Sequence, residues 1–275
     1  SNPVERQKLE TSHADDKLLD MDGSIRLNLL PLFYKNGMSG QNLSTQVMFA
    51  SHHYSNDNTS FVPSTSTACI NSGHEGVASR SYSKSYQYIL EWLTNYSARF
   101  ADKHNVKAMV GYSYQYTQSS RFNAENRDFP NDGLGADNLG SGLWAKEEGE
   151  VLMGSNKDDS KLISFFGRLS YDYDGKYLIT ASLRHEGSSK FGKNHKWGNF
   201  PAVSAGWRIS QEEFMKDIEW INDLKIRADY GVTGNQDFGN YLSINTMSGF
   251  GYYYYNGKYI QVWGPGKNCL LYTSP

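Results

Sequence analysis

Ile163-Ser164-Phe165-Phe166-Gly167-Arg168-Leu169-Ser170-Tyr171-Asp172-Tyr173, Asp174-Gly175-Lys176, then Tyr177-Leu178-Ile179-Thr180-Ala181-Ser182-Leu183-Arg184-His185-Glu186-Gly187, is the stretch whose reading decides the fold. Ile163, Phe165, Leu169, Tyr171 and Tyr173 alternate with Arg168, Ser170 and Asp172. Tyr177, Ile179, Ala181 and Leu183 then alternate with Thr180, Ser182, Arg184 and Glu186. Period two is the mark of a strand with one apolar and one polar face. Tyr173 and Tyr177 share the apolar set, so the loop between them holds an odd number of residues. Asp174-Gly175-Lys176 therefore reads as a three-residue loop, a type I turn closed by a Gly bulge, rather than a two-residue hairpin.

The same alternation recurs outward from this hairpin. It runs through the even positions of 88–100 (Tyr88, Leu90, Trp92, Tyr96, Phe100) and of 106–116 (Val106, Ala108, Val110, Tyr112, Tyr114, Tyr116). It continues in Val203, Ala205, Trp207 and Ile209, and in Leu224, Ile226, Ala228, Tyr230 and Val232. Every Asp, Glu, Lys and Arg of these six segments stands on the polar set, and only His185 intrudes on the apolar one. Less regular strands are expected near 24–30, 43–54 and 251–263. One helix is expected where Ser210 and Glu213 form a capping box ahead of Phe214, Ile218 and Ile221.

Composition excludes several classes. The 275 residues are 38 % hydrophobic and 14 % aromatic, with a net charge of −2. No apolar run exceeds four residues, as in Val47–Ala50, whereas a membrane helix needs roughly 18. Near-zero charge argues against a nucleic-acid partner, and two Cys make neither a disulfide framework nor a four-ligand zinc site. Ser1-Asn2-Pro3 opens without an initiator Met or a signal segment, which fits a fragment.

Two architectures give two-faced strands. In a β-sandwich the apolar face points inward; in an outer-membrane barrel it points to lipid and the polar face to the lumen. Strands of about 10–13 residues fit the roughly 9–11 needed to cross a bilayer at a tilt better than the usual 5–6. Connections alternate between short (101–105, 174–176) and long (55–85, 118–161), as barrels arrange them. Bulky aromatics cluster near strand ends: Phe100, Tyr171, Tyr173, Tyr177 and Trp207 at one end, Tyr88, Tyr114, Tyr116 and Tyr230 at the other. These features favour the barrel, with a secreted or surface glycan-binding sandwich as the alternative.

The segment Leu162–Tyr241 resembles the SusC/RagA-like TonB-dependent outer-membrane transporters. The resemblance lies in Ser164-Phe165-Phe166-Gly167-Arg168-Leu169-Ser170-Tyr171, Tyr173-Asp174-Gly175-Lys176-Tyr177-Leu178 and Gly187-Ser188-Ser189-Lys190-Phe191-Gly192. It continues through Trp197-Gly198-Asn199-Phe200-Pro201, Ser204-Ala205-Gly206-Trp207-Arg208, Leu224-Lys225-Ile226-Arg227 and Tyr230-Gly231-Val232-Thr233-Gly234-Asn235-Gln236. Lys103-His104-Asn105 and Phe129-Pro130-Asn131-Asp132 also match, while 1–80 match weakly. Glu186 stands where the family more often has Asp, and Asp229 where a small residue is usual.

The resemblance implies an all-β fold: a partial transmembrane antiparallel barrel, an arc of a cylinder of about 22 strands around a plug. It implies a bacterial outer-membrane location in contact with lipid, and import of oligosaccharides or peptides. It also implies a SusD-like surface lipoprotein, and TonB acting through an N-terminal plug and TonB box that this chain lacks. No cofactor is implied. On this reading 1–268 is barrel, and Cys269-Leu270-Leu271-Tyr272-Thr273-Ser274-Pro275 reads as a translated sequencing adapter, leaving Cys69 as the native cysteine.

No catalytic constellation stands out: the chain has no HExxH, GxSxG or CxxC, and Gly264-Pro265-Gly266-Lys267-Asn268 lacks the spacing of a phosphate loop. The protein is therefore expected not to be an enzyme. Adjacent His52 and His53 on a strand point to opposite faces and make a shared metal unfavourable. The candidates for a substrate path are the lumen-facing Arg168, Asp172, Arg184, Glu186, Arg208, Arg227 and Asp229; the alternative for each is to pair with another in a wet wall. In the loop after Gly187, Lys190, Phe191, Lys196 and Trp197 are candidates for contact with cargo or the lipoprotein, with Trp197 alternatively packing near the membrane interface. The acidic loop 118–161, with Arg121, Asp128, Asp132, Asp137, Glu147, Glu148, Glu150, Asp158 and Asp159, reads as lipoprotein-contacting or calcium-tolerant.

Overall fold

The computed structural model describes residues 3–30, 40–133, 135–147, 152–192, 194–215, 220–241 and 247–265. The fold is all-β. Its strands are β1 (Thr11–Asn28), β2 (Gln41–Val62), β3 (Val77–Phe100), β4 (His104–Arg127), β5 (Met153–Tyr173), β6 (Tyr177–Ser188), β7 (Trp197–Arg208), β8 (Lys225–Gly231), β9 (Met247–Tyr255) and β10 (Lys258–Pro265). The first eight form one sheet in sequence order, β1 to β8, with β1 and β8 as its outer strands, so the sheet does not close on itself. A separate two-stranded sheet pairs β9 with β10. Tyr-, Val-, Ile- and Thr-rich strands joined to sequence neighbours need no crossover, which is the meander expected of a barrel wall.

The registers keep the two faces apart. Tyr173 pairs with Tyr177, Leu169 with Ala181 and Phe165 with His185 between β5 and β6. Ile179 pairs with Ala205 and Leu183 with Pro201 between β6 and β7, and Ala205 with Ala228 between β7 and β8. The complementary set matches Arg168 with Ser182, Thr180 with Ser204, and Ser204 with Asp229. The apolar set is also the exposed one: Leu169, Ile179, Leu183 and Ile226 each leave more than half of their surface uncovered. A sandwich would bury these side chains.

Several expectations are corrected. The strands from β2 to β5 run 21 to 24 residues, well beyond the alternating windows. The loop expected over 55–85 shrinks to 63–76, and that over 118–161 to 128–152. Ser, Thr, Asn and Tyr on both faces extend the ladder by backbone pairing after the apolar alternation has ended. The strand expected over 251–263 is the β9–β10 hairpin, broken at Asn256-Gly257, whose φ angles of 49° and 82° both lie in the left-handed region. Asp174 and Gly175 are likewise both left-handed, at 54° and 69°. The loop has the expected three residues, but the turn is of the primed kind and Gly175 is its second residue, not a closing bulge.

The helix expected after Ser210 is absent among the described residues; the segment makes two 3₁₀ turns, Ile209–Gln211 and Glu213–Met215. Ser210 Oγ donates to Asp223 Oδ1 at 2.9 Å instead of capping a helix. Ile218 lies outside the described residues, as do Glu148, Glu150, Lys193 and 266–275.

The chain divides into two compact units. The first comprises Ser1–Met21, Ala50–Tyr88 and Thr117–Asp159, the second Asp22–Phe49, Ile89–Tyr116 and Ser160–Pro275. The first unit has a small core of Phe61, Ala78 and Phe129, against which Ala136 and Leu139 pack. Asp132 accepts from the Ser64 backbone N–H at 3.0 Å and its hydroxyl at 2.9 Å. Asp128 accepts from the Glu75 backbone N–H at 2.8 Å. These two acids therefore hold loops together.

In the second unit three aromatics at the short-turn end, Tyr171, Tyr177 and Trp207, have their polar tips hydrogen-bonded. Tyr171 and His104 Nδ1 are hydrogen-bonded at 2.7 Å, and the Tyr173 and Tyr177 rings stack at 6.3 Å. Tyr177 donates its hydroxyl to Glu212 Oε1 at 2.7 Å, and Trp207 donates its indole N–H to the same oxygen at 3.0 Å. These bonds, the Tyr177 one foremost, hold the Glu212 carboxyl below the ordinary carboxylate range. A depressed carboxylate contributes stability that is present above the unfolded value of about 4.3 and is lost as pH falls through the lower folded value. Glu212→Gln is expected to reduce this acid sensitivity, read as the urea midpoint of the full-length protein in detergent at about pH 7 and about pH 3.

Mid-sheet, a Cβ on Gly111 would come within 2.6 Å of the Phe166 ring and 2.8 Å of Leu93. Gly111→Leu is expected to cost about 1–3 kcal/mol or more through overpacking, measured by the same urea titration.

Candidate functional site

The polar face of β5–β8, within the second unit, gathers the seven charged residues picked out by alternation. An open cavity of about 530 Å³ lies against this face, lined by Arg168, Ser170, Thr180, Ser182, Ser204, Lys225, Arg227 and Asp229 among others. Most of the charges on the face as a whole are matched. Arg184 and Glu186 form an ion pair two residues apart on β6. Ser164, almost fully buried, joins them: its hydroxyl donates to Glu186 Oε2 at 2.9 Å and accepts from Arg184 Nη2 at 2.9 Å. The Arg184 guanidinium also lies 5.7 Å from the Phe166 ring centroid. Arg227 donates Nε–H to Asp229 Oδ1 at 2.9 Å.

Arg208 Nε lies 3.6 Å from Asp223 Oδ1, close enough for an ion pair but too long for a hydrogen bond. Asp172 caps the Asp-Gly turn, accepting from Gly175 N–H at 2.7 Å. It takes part in the hairpin rather than in a charge pair. Arg168 is left without an ion pair among the described residues, as is Lys225 beside the same cavity. The wall thus offers two unmatched cations next to a row of hydroxyls.

At the far end of β6 and β7 lies a smaller cavity of about 230 Å³. Glu186, Ser188, Phe191, Lys196, Phe200, Asn235 and Gln236 are among its lining residues. Phe200 stands on the polar face and lies across glycines: a Cβ at Gly198 or Gly234 would meet its ring at 2.8 or 2.4 Å. Lys190 is spent on structure, donating to the carbonyls of Phe238 at 3.0 Å and Gln236 at 3.3 Å. Phe191 packs edge-on against Phe238 with ring centroids 5.0 Å apart. Trp197 belongs to the other face, stacked on His185 at 4.6 Å with planes 5° apart. Of the four loop candidates, the structure brings Phe191, Lys196 and Trp197 to the rim of this cavity, and Lys190 to the backbone carbonyls beside it. Ser164, Phe200, Asn235 and Gln236 were not singled out by alternation. Their signal is a glycine two residues before Phe200 and one immediately before Asn235, which leave room for an aromatic ring.

His52 and His53 diverge as expected: His52 meets Asp20 at 2.8 Å, whereas His53 meets Ser51 at 2.7 Å and packs edge-on to Tyr86 and Tyr88. Among the described residues no three His, Cys, Asp or Glu are placed to hold a metal ion.

The family model described as "TonB dependent receptor-like, beta-barrel" matches residues 9–262. The chain belongs to that family. This TonB-dependent receptor segment is 42 % identical over 175 residues to TonB-dependent receptor P39 of Formosa agariphila, covering 62 % of this chain and 16 % of that protein. It is 46 % identical over 79 residues to TonB-dependent receptor SusC of Bacteroides thetaiotaomicron, covering 29 % of this chain and 8 % of SusC. The fold of the RagAB peptide transporter structure is similar, with a TM-score of 0.75 at 19 % identity, over 94 % of this chain and 26 % of that one. The segment therefore spans about a quarter or less of the length of the relatives it matches.

For the receptor wall, Glu186→Ala is expected to strand Arg184 and Ser164. Its cost of roughly 1–2 kcal/mol is discounted for the half-exposed guanidinium and read from urea midpoints of the full-length protein in detergent.

Proposed function

We propose that this chain forms part of the wall of a TonB-dependent importer integral to the bacterial outer membrane. The cargo is an oligosaccharide or a peptide. The observation that carries the reading is the exposed apolar face of Ile163–Tyr173 in β5 and of β6–β8, with every Asp, Glu, Lys and Arg of those segments on the opposite side. An apolar face without a covering layer fits lipid, and a polar face lined by paired charges and hydroxyls fits a water-filled lumen. On this reading Arg168, Arg184, Glu186, Arg208, Arg227 and Asp229 are lumenal, with Asp172 at the turn. Arg168 and Lys225 are then the cations free to meet cargo or plug.

The reading extends to partners. SusC is the relative that points to a SusD-like lipoprotein at the outer surface, and family membership points to TonB as the energy source, acting through a plug and TonB box. The RagAB structure, a peptide transporter, supports peptides as one cargo class. Passage of cargo through such a protein involves binding and conformational change, with no bond made or broken.

The full-length protein is expected to fractionate with outer membranes and to migrate faster unboiled than boiled on a detergent gel. Recovery from the soluble fraction without detergent would overturn the reading. Leu183→Arg adds a test of the face: on a lipid-facing midplane position it costs about 2–4 kcal/mol yet leaves folding in detergent intact. In a sandwich core it would bury an unpaired charge and abolish folding.

A further inference from the structure

The cavity of about 230 Å³ at the far end of β6 and β7 is built wholly from residues of the second unit. The register puts its floor on the polar face. Arg184 stands opposite Phe200 and Glu186 opposite Gly198, and one step beyond, the Ser188 N–H donates to the Lys196 carbonyl at 2.9 Å. Glu186, Ser188, Lys196 and Phe200 are therefore neighbours of one parity, with a glycine in their midst. A Cβ at Gly198 would meet the Phe200 ring at 2.8 Å, so the ring lies where it does only because that position is bare. Asn235 and Gln236 complete the lining from the connection after β8.

The polar atoms left over in this cavity form a mixed set. Glu186 gives Oε2 to Ser164 and Arg184, which leaves Oε1 to accept. Asn235 gives Oδ1 to the Asp237 N–H at 2.7 Å, which leaves its amino group to donate. The Gln236 side chain and the Lys196 ammonium make no hydrogen bond or ion pair among the described residues. Among those residues Glu186 is the one acid on the lining, and Arg184 already balances it. The cavity thus carries one unbalanced permanent positive charge, at Lys196, with donors and acceptors beside an aromatic ring.

Each feature restricts the ligand. A volume of 230 Å³ falls below the roughly 300–1,000 Å³ that hold drug-sized molecules, so the cavity takes one ring and not several. Separate donors and acceptors in so small a space suit hydroxyl groups, each of which can do both. A peptide side chain of that size brings one or two polar atoms and would leave the other groups unpaired, which is unfavourable. Lys196 calls for an anion. Barrels keep their short turns on the periplasmic side. The cavity, at the end of β6 away from Asp174–Lys176, therefore opens where cargo arrives from outside.

We infer that this cavity is a subsite for one carboxylate-bearing sugar ring of an oligosaccharide cargo. Lys196 meets the carboxylate, Glu186 Oε1, Asn235 and Gln236 meet hydroxyls, and Phe200 packs against the C–H face of the ring. The inference rests on the importer reading proposed above and narrows its cargo to acidic oligosaccharides.

The test uses the full-length protein in nonionic detergent and isothermal titration calorimetry. The probes are trisaccharides of galacturonate, glucuronate, mannuronate and guluronate, each beside its carboxyl-reduced neutral form, with tri-glutamate as the peptide probe. At least one uronate is expected to bind, and its reduced form about tenfold more weakly. Lys196→Met is expected to lose that tenfold on the uronate and nothing on the reduced form, whereas Gln236→Ala weakens both by about fivefold. Migration of unboiled and boiled samples verifies that each variant is folded, and either folded variant decides. Binding of no uronate, equal binding of the reduced form, undiminished uronate binding by a folded variant, or tighter binding of tri-glutamate would overturn the subsite. Membrane fractionation is read separately, so a protein that inserts and ignores uronates overturns the subsite and leaves the importer reading standing.

Discussion

Backbone pairing in a sheet leaves each side chain two directions, and a neighbouring strand slipped by one residue would exchange them. The registers of β5 through β8 hold that choice: Leu169, Ala181, Val203 and Tyr230 form one row, while Arg168, Ser182 and Ala202 form the row behind it. Everything else about the sheet depends on this parity. With it, one surface can meet hydrocarbon without a buried charge, and the other can carry arginines and acids without touching lipid. Without it, Arg184 or Asp229 would fall on the apolar side at a cost of several kcal/mol each. Turns of fixed length protect the parity, and the left-handed Asp174-Gly175 pair is where the chain reverses without adding or losing a residue.

The two faces are held by different interactions. On the polar side the charges hold one another, as in the Arg184–Glu186–Ser164 group and the Arg227–Asp229 pair, so the wall is nearly neutral except at Arg168 and Lys225. On the apolar side the aromatic rings contribute area while their polar tips are tied down individually, Tyr177 and Trp207 to Glu212 and Tyr171 to His104. A tyrosine or tryptophan at a membrane boundary is favourable because its ring and its polar tip want different surroundings. Glu212, lying in a turn, satisfies both tips, and on the outer-membrane reading it does so at that boundary.

How far the sequence was legible follows from the same parity. Where one face is apolar, alternation is strong, and the hairpin around 174–176 was readable residue by residue. Where both faces are polar, as from Asn56 to Ser60 or Ser79 to Ser85, the pattern has no amplitude. The strands nevertheless continue, because backbone pairing does not require apolar side chains. The helix expected after Ser210 failed for a different reason. A capping box is a local signal, and Ser210 found its partner in Asp223, thirteen residues along, two residues before β8. Paired charges on the polar face could be listed from parity, but which of them pair could not. Arg184 and Glu186 meet because they are two apart on one strand, whereas Asp172 turns to the nearer Gly175 N–H. Phe200 was hidden because its place depends on Gly234, distant in sequence after β8, as well as on Gly198 two residues before it.

The Phe61–Ala78–Phe129 core has a consequence for whatever approaches the first unit. Loops that must be ordered on contact lose conformational entropy at that moment, and the loss is subtracted from the affinity gained. Here the segments 63–76 and 128–133 are already fixed, by an aromatic pair with ring centroids 6.0 Å apart and by the Asp132 and Asp128 clasps. Their ordering was settled when the chain folded. A partner landing there meets a surface of set shape, so it is selected by fit more than by its capacity to mould the loops around itself.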